Sequence, residues 1–221
     1  GMTSIRCVTD GVEHAGSVSF GYAAHPYLFF SAEELTALRA ACRKAPLAAY
    51  RRALLARAEK HNTPPKARKV NKATDTLKVL TWAYALTADR KYGDPLKRWM
   101  LAVSESRDVL DFQLMTVGMM AFSYDVMFPE LTIAERVKVQ RYLRHALATY
   151  VREAQSYRWF FTNYSNTCAV GNSGGGLAAL ALQNADPQAK AAIAFAKHWS
   201  KIFADRVMGP DGSCTEGRLY W

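Results

Sequence analysis

Apolar residues recur along this chain with helical spacing, and no alternating strand pattern extends beyond a few residues. Leu35, Leu38 and Cys42 follow Ser31-Ala32-Glu33-Glu34, a capping box in which Ser31 can accept a first-turn N–H and Glu34 can reach back. Pro46 opens a second helix where its missing N–H costs little. Leu47, Tyr50, Leu54 and Leu55 form its apolar stripe, with Arg51, Arg52 and Arg57 on the wet side. Asn62-Thr63-Pro64-Pro65 then breaks the chain. A third helix is predicted over about residues 70–88, and a fourth from near Tyr92 with Asp94-Pro95 as cap and first turn. Residues 111–127 are apolar all round, which predicts a fully buried helix, stopped by Phe128-Pro129. Thr132-Ile133-Ala134-Glu135 is a second capping box, opening a long helix to about Gln155. Asp186-Pro187 opens the last one, which runs to about Val207.

Residues 1–30 lack this periodicity and contain Gly11, Gly16, Gly21 and Pro26. They read as an irregular N-terminal arm ending in the aromatic anchor Tyr27-Leu28-Phe29-Phe30. Residues 31–221 read as one all-α domain, because helix signals follow one another with short connections. Short connections favour antiparallel helical hairpins. A loose recurrence at about 40–50 residues suits an array or toroid better than a four-helix bundle.

Two polar, Gly-rich segments interrupt the helical pattern. One runs from Trp159 to Gly176 and contains Asn163, Asn166 and Asn172 before the small-residue stretch Leu177-Ala178-Ala179-Leu180. An asparagine amide both donates and accepts, so these residues can bind ligand, or simply cap the helix while the glycines permit close packing. The other is the tail from Met208 to Trp221, where Glu216, Arg218, Tyr220 and Trp221 crowd functional groups behind a Pro210-Asp211-Gly212 turn. The aromatic terminus reads as a chain cut short.

Charge narrows the partner. With 29 Lys+Arg against 19 Asp+Glu the formal net charge is +10, which attracts polyanions. No block of consecutive basic residues resembles a nucleic-acid tail, which argues against a nucleic-acid partner. No apolar run approaches the ~20 residues of a membrane-spanning helix, so no membrane partner is expected. The five histidines and four cysteines make no metal-ligand spacing, and there is no Walker loop, dinucleotide fingerprint or serine-hydrolase elbow. No signal segment is visible: a periplasmic or secreted location requires a removed leader, and the alternative is the cytoplasm.

Several segments carry a resemblance when taken in order. They are His25-Pro26-Tyr27-Leu28-Phe29-Phe30, Ala83-Tyr84-Ala85-Leu86-Thr87-Ala88-Asp89-Arg90-Lys91-Tyr92, Tyr124-Asp125 with Phe128-Pro129, and Leu131-Thr132 with Glu135-Arg136. The Asn-rich stretch before Gly174-Gly175-Gly176 and the Asp211-Gly212, Glu216-Gly217 and Tyr220 tail complete the set. Over about residues 25–221 the chain resembles the helical domain of the heparinase II/III-like and alginate lyase polysaccharide lyases. That resemblance implies an incomplete (α/α) toroid of antiparallel hairpins, here lacking the C-terminal β-sandwich of the family. It also implies β-elimination at a uronic acid in an anionic polysaccharide; with no metal-ligand spacing or cofactor motif in the chain, no cofactor and no metal ligands are expected.

The site implied by the resemblance is specific. Tyr220 aligns with the catalytic tyrosine of the family, and Asn166 begins the Asn-x-x-x-x-x-Asn-Gly pattern that ends at Asn172, with Ser173 replacing the usual Gly. A second alignment puts the charge-neutralising pair at Asn163-Tyr164, with Tyr164 in place of a histidine; Asn166 is favoured. Glu216 matches the acidic residue of the terminal loop, Arg218 is a carboxylate fork, and Trp221 offers a face to a sugar ring. The alternative is a non-catalytic helical module that binds an anionic glycan. Apolar faces left open by a shortened toroid could also pair with a second copy.

Overall fold

The computed structural model describes residues 3–9, 12–18, 25–63, 73–105, 114–156 and 166–207; the side chains of residues 3–18, 114, 154–156, 166 and 167 are outside that description. The body is helical: α1 Ala32–Ala41, α2 Leu47–Glu59, α3 Ala73–Thr87, α4 Arg90–Ser104, α5 Leu114–Met127, α6 Ile133–Ser156, α7 Asn166–Ala181 and α8 Ala189–Val207. A 3₁₀ turn, Phe128–Glu130, follows α5 at the expected stop. The arm expected to be irregular contains an antiparallel hairpin, β1 Thr3–Thr9 with β2 Val12–Val18, in the register Thr9↔Val12 to Thr3↔Val18. The sequence between the two strands is Asp10-Gly11, a dipeptide strongly favoured in two-residue hairpin connections.

Local signals set most helix starts. In α1 the Glu34 N–H donates to Ser31 Oγ at 3.2 Å and the Ser31 N–H donates to Glu34 Oε2 at 2.8 Å, so both halves of the capping box form. The second box repeats this: the Glu135 N–H donates to Thr132 Oγ1 at 3.3 Å and the Thr132 N–H donates to Glu135 Oε2 at 2.8 Å. Asp186 accepts from the Gln188 N–H at 2.9 Å ahead of α8. Two readings are corrected. The cap of α4 is Asp89, which accepts from the Lys91 N–H at 2.9 Å, while Pro95 lies inside the helix. In α2, Leu47 and Tyr50 are exposed and Ala58 is the fully buried residue, because the neighbouring helices cover only part of the stripe.

The polar Asn-Gly segment is also helical over much of its length. Helix α7 begins at Asn166 and takes in the glycines ahead of the small-residue stretch. Three of its four glycines let different neighbours approach. A Cβ on Gly175 would lie 2.5 Å from the Tyr150 ring of α6, one on Gly176 would lie 3.0 Å from Ala196 of α8, and Gly174 backs against Gly118 of α5. The low helix propensity of glycine is therefore offset by the packing it allows.

Helix order in space skips alternate elements. α1, α3, α5 and α7 pack one on the next, as do α4, α6 and α8, and the consecutive pairs α3/α4 and α7/α8 join the two rows. The core lies between them, around Leu77, Leu80, Leu96, Met100, Met120, Phe122, Leu143 and Leu147, all at 1% exposure or less. Helix α5, expected to be buried all round, is buried at Val117, Met120 and Phe122, but Met115 is 52% exposed.

Candidate functional site

The segment just before α1 is fastened to α5 by one carboxylate. Asp125 has no exposed surface, yet it has partners for both oxygens. The Tyr27 N–H donates to Oδ1 at 3.1 Å and Oδ2 at 3.0 Å, and the Leu28 N–H donates to Oδ2 at 3.0 Å. His25 Nδ1 lies 2.6 Å from Oδ1. The imidazole stacks on Phe128 with ring centroids 3.9 Å apart, and the Arg136 guanidinium lies over that ring at 4.0 Å. Tyr27 Oη donates to the carbonyls of Leu180 and Ala181 at 3.1 and 3.3 Å, which ties the same segment to the end of α7. Burial, and then the Asp125 charge, push the Tyr27 phenol up to about 12. Two of the motifs behind the family resemblance, His25–Phe30 and Tyr124-Asp125 with Phe128, thus meet in a clamp that positions α7.

Helix α7 carries two of the three asparagines, Asn166 and Asn172. Asn166 is its first residue. Asn172 lies six residues on, roughly 9 Å along the axis and ~120° around it. The Asn172 side chain is 1% exposed: Tyr150 Oη donates to its Oδ1 at 2.7 Å, and its Nδ2 donates to the Cys168 carbonyl at 2.9 Å and Sγ at 3.3 Å. These bonds span α6 and α7 inside the core. Burial raises both the Tyr150 phenol and the Cys168 thiol, so both remain protonated near neutrality. Asn163, Tyr164, Glu216, Arg218, Tyr220 and Trp221 lie outside the described residues.

One stripe of α7 remains open. Val170, Ser173, Leu177 and Leu180 fall on a single face and are partly or fully exposed, while Gly171, Asn172, Gly174, Gly175, Gly176, Ala178 and Ala179 are buried. Two cavities flank this stripe. One, of about 330 Å³, is bounded by α3 and α5 and includes Thr74, Lys78, Met115 and Met119. The other, of about 430 Å³, is bounded by α8 and the segment before α1 and includes Phe29, Ile193, Lys197 and Ser200. Ser173 and Leu177 line both, so the cavities adjoin along α7, and Asn172 also borders the second. Both volumes fall in the ~300–1,000 Å³ range of small-ligand sites.

Sequence reasoning named Phe29 only as an anchor and Ser173 only as a departure from a motif, and it did not single out Lys78 or Lys197. Lys78, Lys197 and Phe29 reach the grooves from elements other than α7, and only packing brings them together. Among the described residues, no group of three or more His, Cys, Asp and Glu side chains could hold a metal ion. No helix among the described residues is long and apolar enough to cross a membrane. No family model matches the sequence, and no curated protein matches it.

Proposed function

We propose that this chain is the helical domain of a polysaccharide lyase, an incomplete (α/α) toroid that cleaves a uronic-acid-containing anionic glycan by β-elimination. The observation that carries this reading is α7, an asparagine-bearing helix that starts at Asn166 and leaves one face open to two adjoining grooves, each with a lysine. The alternate packing of odd and even helices supports the toroid, since two concentric rows require that order. The net charge of +10 suits a polyanionic substrate.

In the proposed reaction a base removes the C5 proton of the uronate. The electron pair left behind forms the C4–C5 double bond, the C4–O bond breaks, and the departing oxygen takes up a proton. The C5 proton is a poor acid until the adjacent carboxylate is neutralised. Asn166, or alternatively the Asn163-Tyr164 pair, supplies hydrogen bonds to that carboxylate as negative charge builds on it. Tyr220 moves the proton, first from C5 and then to the leaving oxygen, once its site brings its pKa toward the working pH. Arg218 and Glu216 hold the substrate, and Trp221 stacks on a sugar ring.

One observation favours a second reading, a non-catalytic module that binds the same glycans. The Asn172 amide is held by Tyr150 and Cys168, so that member of the asparagine pattern is engaged within the fold. Incubation with alginate, heparin, heparan sulfate and hyaluronan separates the two. Elimination creates a conjugated double bond with strong ultraviolet absorbance. Growth of that band supports the lyase; binding without it leaves the module; neither binding nor absorbance removes both.

A further inference from the structure

Resting on the anionic-glycan reading, we propose that the open face of α7 is a binding groove for two uronate units of one glycan chain, whose carboxylates are received by Lys78 on one side and Lys197 on the other. The two cavities meet at Ser173 and Leu177, so one extended ligand can occupy both. Leu177 forms a shared apolar ridge, Met115 lies on one side, and the half-exposed Phe29 lies on the other. Such surfaces match the C–H faces of sugar rings. Lys78 and Lys197 are exposed, and among the described residues neither is in an ion pair.

Charge selects the occupant. Each cavity presents one ammonium, which matches an acidic oligosaccharide that carries a carboxylate to each of them. A second copy of this chain would bring together two chains that each carry a net charge of +10. A nucleic acid would bring phosphates to a mainly apolar groove with no arginine fork among its lining residues. An acidic oligosaccharide satisfies both the apolar ridge and the separated cations.

The test measures binding of tetramannuronate and of a heparosan-derived tetrasaccharide to the full chain across a salt series. Lys78→Ala and Lys197→Ala are each expected to weaken binding of at least one of them by ~3–10-fold and to flatten its salt dependence. Lys78→Arg and Lys197→Arg should retain most of the affinity, and Lys60→Ala, outside the groove, should change nothing. The same tetrasaccharide with its carboxyls reduced to alcohols should bind weakly and equally to every variant. Unchanged affinity in the Lys78→Ala/Lys197→Ala double variant, or an equal loss for the carboxyl-reduced ligand, overturns the groove. So does absence of binding to either ligand. The outcomes separate from those for the lyase: double-bond formation unaffected by the lysine changes removes the groove alone, while lysine-dependent binding without elimination supports the groove and removes the lyase.

Discussion

His25 Nδ1 lies 2.6 Å from Asp125 Oδ1, although the two residues are 100 positions apart in the chain. Their pairing turns the end of the N-terminal arm into a strut between α5 and α7. The Asp125 carboxylate has lost its water, and its cost of burial is offset by the backbone N–H groups of Tyr27 and Leu28 together with the imidazole. The strut matters for function because α7 carries Asn166 and the open face between the grooves.

Replacing Asp125 with Ala should therefore unfold the chain at markedly lower denaturant. Two backbone donors and the imidazole lose a charged acceptor, and the expected destabilisation is about 3–5 kcal/mol. Urea titration followed by circular dichroism measures it, and a loss below ~1 kcal/mol would show that the strut is dispensable.

Gly175 gives a test of helix packing against helix propensity. Alanine would gain ~1 kcal/mol of propensity at a mid-helix position. Its Cβ would, however, sit 2.5–2.6 Å from Cγ, Cδ1 and Cδ2 of Tyr150, which are near the root of a buried ring and cannot swing away. Overpacking of this kind costs about 1–3 kcal/mol, so Gly175→Ala should be net destabilising. Combined with Tyr150→Leu, the two changes should be less than additive in thermal unfolding; simple additivity would mean that the ring is not the obstacle.

Tyr27 predicts a response to alkali. Its phenol is raised from 10.0 to about 12 in the fold, so the neutral form is the one the native state favours. The resulting stability is fully present below pH 10 and is lost as pH rises toward 12, since the unfolded chain ionises first. Tyr27→Phe should be less stable at neutral pH by about 1 kcal/mol, from loss of the bonds to Leu180 and Ala181. That deficit should shrink through the alkaline window. A deficit that stays constant from neutrality to pH 12 would contradict the assignment.

At Ala88 the backbone takes φ 56°, in the left-handed region, immediately after α3. Alanine is strained there by about 1–2 kcal/mol, and glycine would relieve it while adding freedom to the unfolded chain. Ala88→Gly should raise stability by about 0.5 kcal/mol, read as a higher melting temperature. A fall would show that the turn does not hold the strain.

For the proposed elimination, Tyr220→Phe should abolish double-bond formation and leave glycan binding close to that of the unmodified chain. Asn166→Ala should raise the barrier by about 3 kcal/mol, the scale of one lost donor to a developing anion. Wild-type turnover in the first variant would remove Tyr220 from the reaction, and in the second would move the carboxylate-neutralising role to Asn163.

The sequence alone determined what depends on near neighbours. Ser31 with Glu34 and Thr132 with Glu135 specify their helix starts, because a cap requires only groups three residues apart and a backbone free to bond them. Phe128-Pro129 ended α5, and the helical spacing of apolar residues gave the all-α class. Tertiary structure decided which predicted stripes are covered. Tyr50 lies on the apolar side of α2 yet is 74% exposed, since periodicity names a face but not the partner that buries it. It also decided the helical state of the Asn-Gly stretch, where close approach by Tyr150, Ala196 and Gly118 outweighs the weak propensity of four glycines. The burial of Asp125 and the meeting of Lys78, Ser173 and Lys197 around one helix belong to the same class. Each depends on chain segments far apart in sequence, brought together only when the hydrophobic core closes.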